Sequence, residues 1–242
     1  MTNKETMKRH GMAHNSSCRP GKARAGWVLS IAASSSCSAY DDWGRLNAVS
    51  TVSSAISNPS NAGKILMGKA YTDNLWHGIS RSTWERPQSW AGYNYTQFRN
   101  ASGNVDRVDY FGGATWATRE NYDGNDRGIS IGNYINMRID NEITGSFESR
   151  VLSDHLFMHE YGHTFQSRAW GPLYLPVIGA PSLFSAGFSG DVTTTYNGIQ
   201  NTLSIHKFRW YERGANKHAE KYFRNKSSLP WDERMYPTID RR

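Results

Sequence analysis

The chain has 242 residues, 38% of them hydrophobic and 13% aromatic, which is material for one domain with a full core, with or without a tail. Its net charge of +7 is uneven: residues 1–40 carry six Lys/Arg and one acid, so the rest is nearly neutral and shows no aromatic-interleaved basic stripe of the kind that grips nucleic acid. No internal repeat is visible, and no run of about 20 apolar residues offers a transmembrane segment.

Residues 1–40 read as a basic, Ser-rich leader or disordered tail, and 41–242 as the folded domain. Within the leader, basic residues precede Trp27-Val28-Leu29-Ser30-Ile31-Ala32 and then small residues, which is the order of charge, apolar stretch and small side chains in an export signal. The alternatives are a disordered leader or a fragment of a longer chain. Cys18 and Cys37 both fall here, so no thiol ligand and no core disulfide is expected in the domain.

The middle of the chain reads as β structure. Tyr110 to Thr118 is expected to be a strand bent at Gly112-Gly113, and Asn121 to Asp126 a turn. Ile129, Ile131, Ile135, Met137 and Ile139 alternate with polar residues, which predicts a half-buried strand across 129–139, with Asn133 as an exception on its apolar face.

A helix is predicted from about Asp154 to Arg168, opened by Ser153 and Asp154 as capping residues. It carries His159-Glu160-Tyr161-Gly162-His163, an H-E-x-x-H run. Four-residue spacing puts both imidazoles on one helical face, where they can share one Zn²⁺, with Glu160 placed to act as base on a water. His155 lies eight residues from His163, about 12 Å of helix rise, and cannot share that metal. Gly162 costs about 1 kcal/mol relative to Ala in a helix, tolerable where a backbone or substrate must come close.

Beyond this helix, Gly171 to Phe188 is apolar and broken by prolines. It is expected to pack over the core beside the motif helix, in preference to contacting a membrane. Asp191 to Asn201 reads as a polar turn region. Ser204 to Phe223 then shows a second helical pattern, with Phe208, Tyr211, Ala215, Ala219 and Tyr222 forming its apolar stripe. A sheet followed by two motif-bearing helices makes the fold class α+β.

A catalytic zinc takes three protein ligands and keeps one position open. The longer pattern with a third histidine on the same helix is absent, because Gln166 and Ala169 stand where its glycine and histidine belong. Glu212 is the third-ligand candidate, at the edge of the apolar stripe, and Asn216 one turn later can hold the spare nitrogen of a zinc histidine. Glu220 is a weaker rival, since Arg224 one turn on would bind its carboxylate. His206 could be a further ligand or a donor to a developing oxyanion, and for that donor role His206, Tyr196 and Tyr211 are unranked candidates.

With these residues the chain resembles the zincin metallopeptidases, and among them the gluzincin type, in which H-E-x-x-H is completed by a glutamate in an E-x-x-x-D motif. Glu212-Arg213-Gly214-Ala215-Asn216 matches it with Asn in place of Asp. The stretch from about Phe111 to Tyr222, including Gly171-Pro172-Leu173-Tyr174-Leu175 and Arg209-Trp210-Tyr211-Glu212, is also similar to bacterial metallopeptidase domains often found at the C-terminal ends of Rhs-type and polymorphic-toxin proteins. The resemblance implies a small sheet packed on a zinc-binding helix, with a second helix supplying the glutamate. It implies a zinc hydrolase acting on a peptide or protein substrate and delivered or exported from a bacterial cell. The other functions open at this point are a zinc amidase acting on a cell-wall or other non-protein amide, and a toxin or binding module whose metal is structural.

Overall fold

The structure is a computed structural model that describes residues 38–240. One compact unit begins at Trp43 and holds the sheet and the helices that follow. The expected leader lies outside the described residues except for Ser38–Tyr40, the first residues of a helix.

Among the described residues the fold is mixed α+β, with eight α-helices, a four-stranded sheet and a separate two-stranded hairpin. Four helices that the sequence reading did not anticipate come first: α1 (Ser38–Ser57), α2 (Pro59–Met67), α3 (Leu75–Ser82) and α4 (Arg86–Ala101). The sheet follows as β1 (Arg107–Phe111), β2 (Ala114–Arg119), β3 (Arg127–Ile131) and β4 (Tyr134–Arg138), in spatial order β1-β2-β4-β3. β1 runs antiparallel to β2, β2 parallel to β4, and β3 antiparallel to β4, so β3 ends the sheet.

The bent strand expected at 110–118 is two strands meeting at Gly112-Gly113. The strand expected across 129–139 is likewise a hairpin, turning at Gly132-Asn133. Gly132 has φ +63°, a conformation that a two-residue turn requires and that only glycine adopts cheaply. The period-two pattern holds within each strand, but the turn changes its sense. Ser130 pairs with Ile135, so these share a face, and Ile129 faces the other side with Asn136. The alternation alone could not reveal this, because the turn leaves the sequence period unbroken.

Helices cover both faces. On one, Ile65 of α2 and Tyr93 of α4 pack with Val105, Val108, Ala117 and Tyr134. On the other, Trp116, Ile135 and Met137 meet α5 (Phe147–Leu152), α6 (His155–Trp170) and α8 (Trp210–Phe223) through Phe147, Phe157, Tyr161, Ala219 and Phe223. Trp116 is fully buried and lies parallel to Phe157, with ring centroids 5.6 Å apart.

Between α6 and α8 the chain makes a 3-10 turn (Gly171–Leu173), a π-helical turn (Leu175–Gly179) and α7 (Ala180–Phe188). Tyr174 and Ile178 are buried as expected for packing over the core, whereas α7 buries none of its residues. The polar region expected from Asp191 is a β-hairpin, β5 (Asp191–Tyr196) and β6 (Ile199–Ser204). Its threonines favour strand, and the tight turn at Asn197-Gly198 closes it. Helix α8 starts later than the pattern suggested, after a 3-10 turn over Ile205–Phe208. No helix among the described residues is long and apolar enough to cross a membrane.

Candidate metal centre

α6 is capped by Asp154, whose side chain accepts from the Leu156 amide at 2.8 Å, so the helix starts where the sequence indicated and the H-E-x-x-H run falls in its second turn. α8 crosses it at Gly162. A Cβ at that position would stand 2.2 Å from the Ala215 carbonyl oxygen, so the glycine is what lets the two backbones approach this closely. The close crossing faces Glu212, in the first turn of α8, toward both histidines of α6. A carboxylate also suits the positive end of a helix.

Glu212 Oε2 lies 3.2 Å from His159 Nε2 and 3.4 Å from His163 Nε2. Donors each 2.0–2.1 Å from a tetrahedral zinc stand about 3.3 Å apart, so these separations fit a metal bound between the three residues. The two rings are nearly perpendicular, at 83°, and approach from different directions. Among the described residues, His159, His163 and Glu212 form the one group of three such side chains whose ligand atoms converge.

The outward nitrogens are also accounted for. Gln166 donates from Nε2 to the Tyr211 carbonyl (2.6 Å), which turns its Oε1 toward His163 Nδ1 (2.8 Å). Asn216 donates from Nδ2 to the Pro237 carbonyl (2.8 Å), which turns its Oδ1 toward His159 Nδ1 (2.7 Å). A carbonyl can only accept, so both amide orientations are determined, both Nδ1 atoms carry protons, and both Nε2 atoms are left for a metal. Asn216 thus stands where the sequence reading placed it, and the amide oxygen does the work expected of a carboxylate.

Electrostatics agree with this donor set. Burial pushes the Glu212 carboxyl upward, but the imidazoles of His163 and His159 outweigh it and hold the group well below the usual carboxylate range. Burial pushes His163 down, and the Glu212 carboxylate, aided by Glu160, raises it to about 9. The carboxylate thus favours the charged form of His163, whose Nε2 proton a divalent cation would displace.

Glu160 is buried and lies against the edge strand. Its Oε2 accepts from the Ser130 hydroxyl at 2.7 Å, and its side chain covers Gly128, where a Cβ would stand 2.3 Å from Cγ. His206 joins the centre from the other side. Its Nε2 lies 3.5 Å from Glu212 Oε1, the oxygen that does not face His159 and His163 and that also accepts from Ser182 (2.6 Å). Ser185 contacts His206 Nδ1 at 2.5 Å and receives the Tyr211 hydroxyl at 2.8 Å. Burial lowers the His206 pKa, which favours a neutral ring.

Other candidates have other partners or positions. Tyr211 is tied up with Ser185 and the Pro181 carbonyl. Tyr196 sits at the far end of the β5–β6 hairpin, about 17 Å along the strand from the Asp191–Ser204 pair that adjoins His206. Glu220 pairs with Arg224 at 2.7 Å, as its spacing suggested. His155 contacts the segment after α8 and takes no part among the metal-facing donors. Gln166 lies three residues from His163, so helical spacing carried a signal for it, whereas Ser130, Ser182 and Pro237 reach the site through tertiary packing alone. The chain matches no protein-family model, no curated protein and no solved structure.

Proposed function

We propose that the protein is a zinc-dependent hydrolase of the zincin type, with a small sheet packed on its zinc helix, and that it cleaves peptide bonds. The observation that carries this reading is the convergence of His159 Nε2, His163 Nε2 and Glu212 Oε2 within 4.8 Å of one another, with Glu212 Oε2 at 3.2 and 3.4 Å from the two imidazoles and both Nδ1 atoms held from behind. A zinc ion there, when bound, supplies a Lewis acid that makes a water nucleophilic near neutral pH and polarises a carbonyl.

The chain's own groups supply the rest. Glu160 takes the proton from the attacking water on its carboxylate and passes it to the departing amine nitrogen. Ser130 holds the other side of that carboxylate and keeps it from swinging away from the centre. When Ser185 donates to His206 Nδ1, the His206 proton resides on Nε2, beside the outer oxygen of Glu212, from where it could turn to a developing oxyanion. His159, His163 and Glu212 would hold the ion with three protein donors, the donor count of a catalytic zinc in preference to a closed four-ligand structural site.

A peptide substrate is favoured by the placement of β3. This strand ends the sheet beside α6; the Tyr174 hydroxyl donates to the outward Ser130 carbonyl, and an extended peptide could add to the rest of such an edge by backbone hydrogen bonds. The test is a broad peptide library read by mass spectrometry with the wild type, Glu160→Gln and a chelator-treated sample. Cleavage by the wild type alone is expected. Cleavage surviving in the Gln variant at the wild-type rate refutes the role of Glu160, and no cleavage by any form refutes the peptide reading in favour of a non-protein amide or a structural metal.

A further inference from the structure

The two zinc histidines are oriented in different ways. Gln166, behind His163, is fixed by the Tyr211 carbonyl of α8, part of the packed helix pair. Asn216, behind His159, is fixed by Pro237, in the irregular segment that follows α8. That segment is seated on α6 at further points. His155 Nε2 lies 2.9 Å from the Pro230 carbonyl and 3.1 Å from the Asp232 amide. The Tyr236 ring stacks on His155 with centroids 5.8 Å apart and lies 5.7 Å from the His159 ring. Lys207, beside His206 in sequence, donates to the Met235 carbonyl at 3.2 Å.

We propose that residues Pro230 to Pro237 form a positioning element of the metal centre, and that the Pro237 carbonyl is the reason position 216 is an amide. The inference rests on the reading that His159, His163 and Glu212 bind zinc. Asn216 is 1% exposed and meets a donor on one side and an acceptor on the other. An amide satisfies both. A carboxylate would still accept from His159 Nδ1, but would set a second acceptor 2.8 Å from the Pro237 oxygen with no proton between them. The segment would then have to leave while His159 stayed in place. Because one side chain bridges the segment and the ligand, zinc binding and docking of the segment stabilise each other by the same factor.

The test is hydrogen exchange of residues 227–240 in the full chain, read by mass spectrometry with and without zinc, beside zinc affinity measured by chelator competition. In the wild type, zinc is expected to slow exchange of this segment by about tenfold. Asn216→Asp should speed it by about tenfold or more while the zinc Kd stays within about tenfold of wild type. Asn216→Leu should lose both, with zinc bound about 10- to 100-fold more weakly. A purely structural role for Asn216 would make the two readouts fall together in both variants, which would overturn the proposal. So would an Asp variant whose segment exchanges as in the wild type, or wild-type exchange that zinc leaves unchanged. The wild-type comparison needs no substitution and stands even if a variant does not fold. A wild type that binds no zinc defeats the metal reading itself, whereas zinc binding with an indifferent segment defeats only this inference.

Discussion

Gly162→Ala tests whether the approach of two helices sets the ligand geometry. By helix propensity alone the change should stabilise α6 by about 1 kcal/mol. The new Cβ, however, would lie 2.2 Å from the Ala215 carbonyl oxygen, while ordinary contact begins at 3.4 Å. The obstacle is backbone, so the helices must separate locally by roughly 1 Å, and overpacking of this kind costs about 1–3 kcal/mol. The metal-free variant should therefore be unchanged or up to about 2 kcal/mol less stable, a Tm drop of several degrees at about 2–4 °C per kcal/mol for a chain of this size. The larger effect is on zinc. α6 carries His159 and His163 and α8 carries Glu212, and metal bonds tolerate only about 0.2 Å of displacement. The zinc Kd should rise by at least about a hundredfold, removing about 2.7 kcal/mol of the stabilisation that zinc confers. Calorimetric melts with and without zinc, alongside chelator competition, measure both quantities. A variant with a raised Tm and wild-type zinc affinity would refute the claim that this crossing positions the ligands.

Gly128→Ala should retain zinc yet lower turnover about a hundredfold, because a Cβ 2.3 Å from Glu160 Cγ displaces the carboxylate by about 1 Å; unchanged turnover on a cleaved peptide would count against the placement of Glu160. Glu160→Gln should keep zinc and reduce the rate by about a hundred- to ten-thousandfold, measured on the same peptide. Stability should also depend on pH through His77, which burial, with the Arg168 and Arg81 charges, pushes from 6.5 down to about 4. The unfolded chain then binds more protons than the folded one between these values, so this contribution is intact above pH 6.5 and lost as pH falls toward 4. Urea midpoints at pH 7 and 5 should differ less in His77→Leu than in the wild type, and an equal difference would contradict the assignment.

What could be read in advance divides along the range of the interactions. The H-E-x-x-H helix, its Asp154 cap, Glu212 as the candidate to join the two histidines and Asn216 behind His159 all follow from periodicities of three and four residues, and the structure brings these side chains together. Helices α1 to α4 were missed, and so was the hairpin at Gly132-Asn133, whose turn inverts the faces without disturbing a period-two pattern. The threonine-rich β5 reads as a polar turn region because its residues are largely polar, as befits a strand whose burial is slight. Ser130 holds Glu160 from 30 positions away, and Pro237 holds Asn216 from 21. Contacts of that kind depend on the packed chain and leave no local spacing to recognise.

Zinc titration of the metal-stripped protein by calorimetry shows whether His159, His163 and Glu212 together bind one zinc ion. The wild type and Glu220→Gln should each take up about one zinc per chain. Glu212→Gln should bind far more weakly, because a neutral amide replaces the charged oxygen ligand. Uptake below about a tenth of an equivalent by the wild type, or equal affinity in the two Gln variants, would contradict the account.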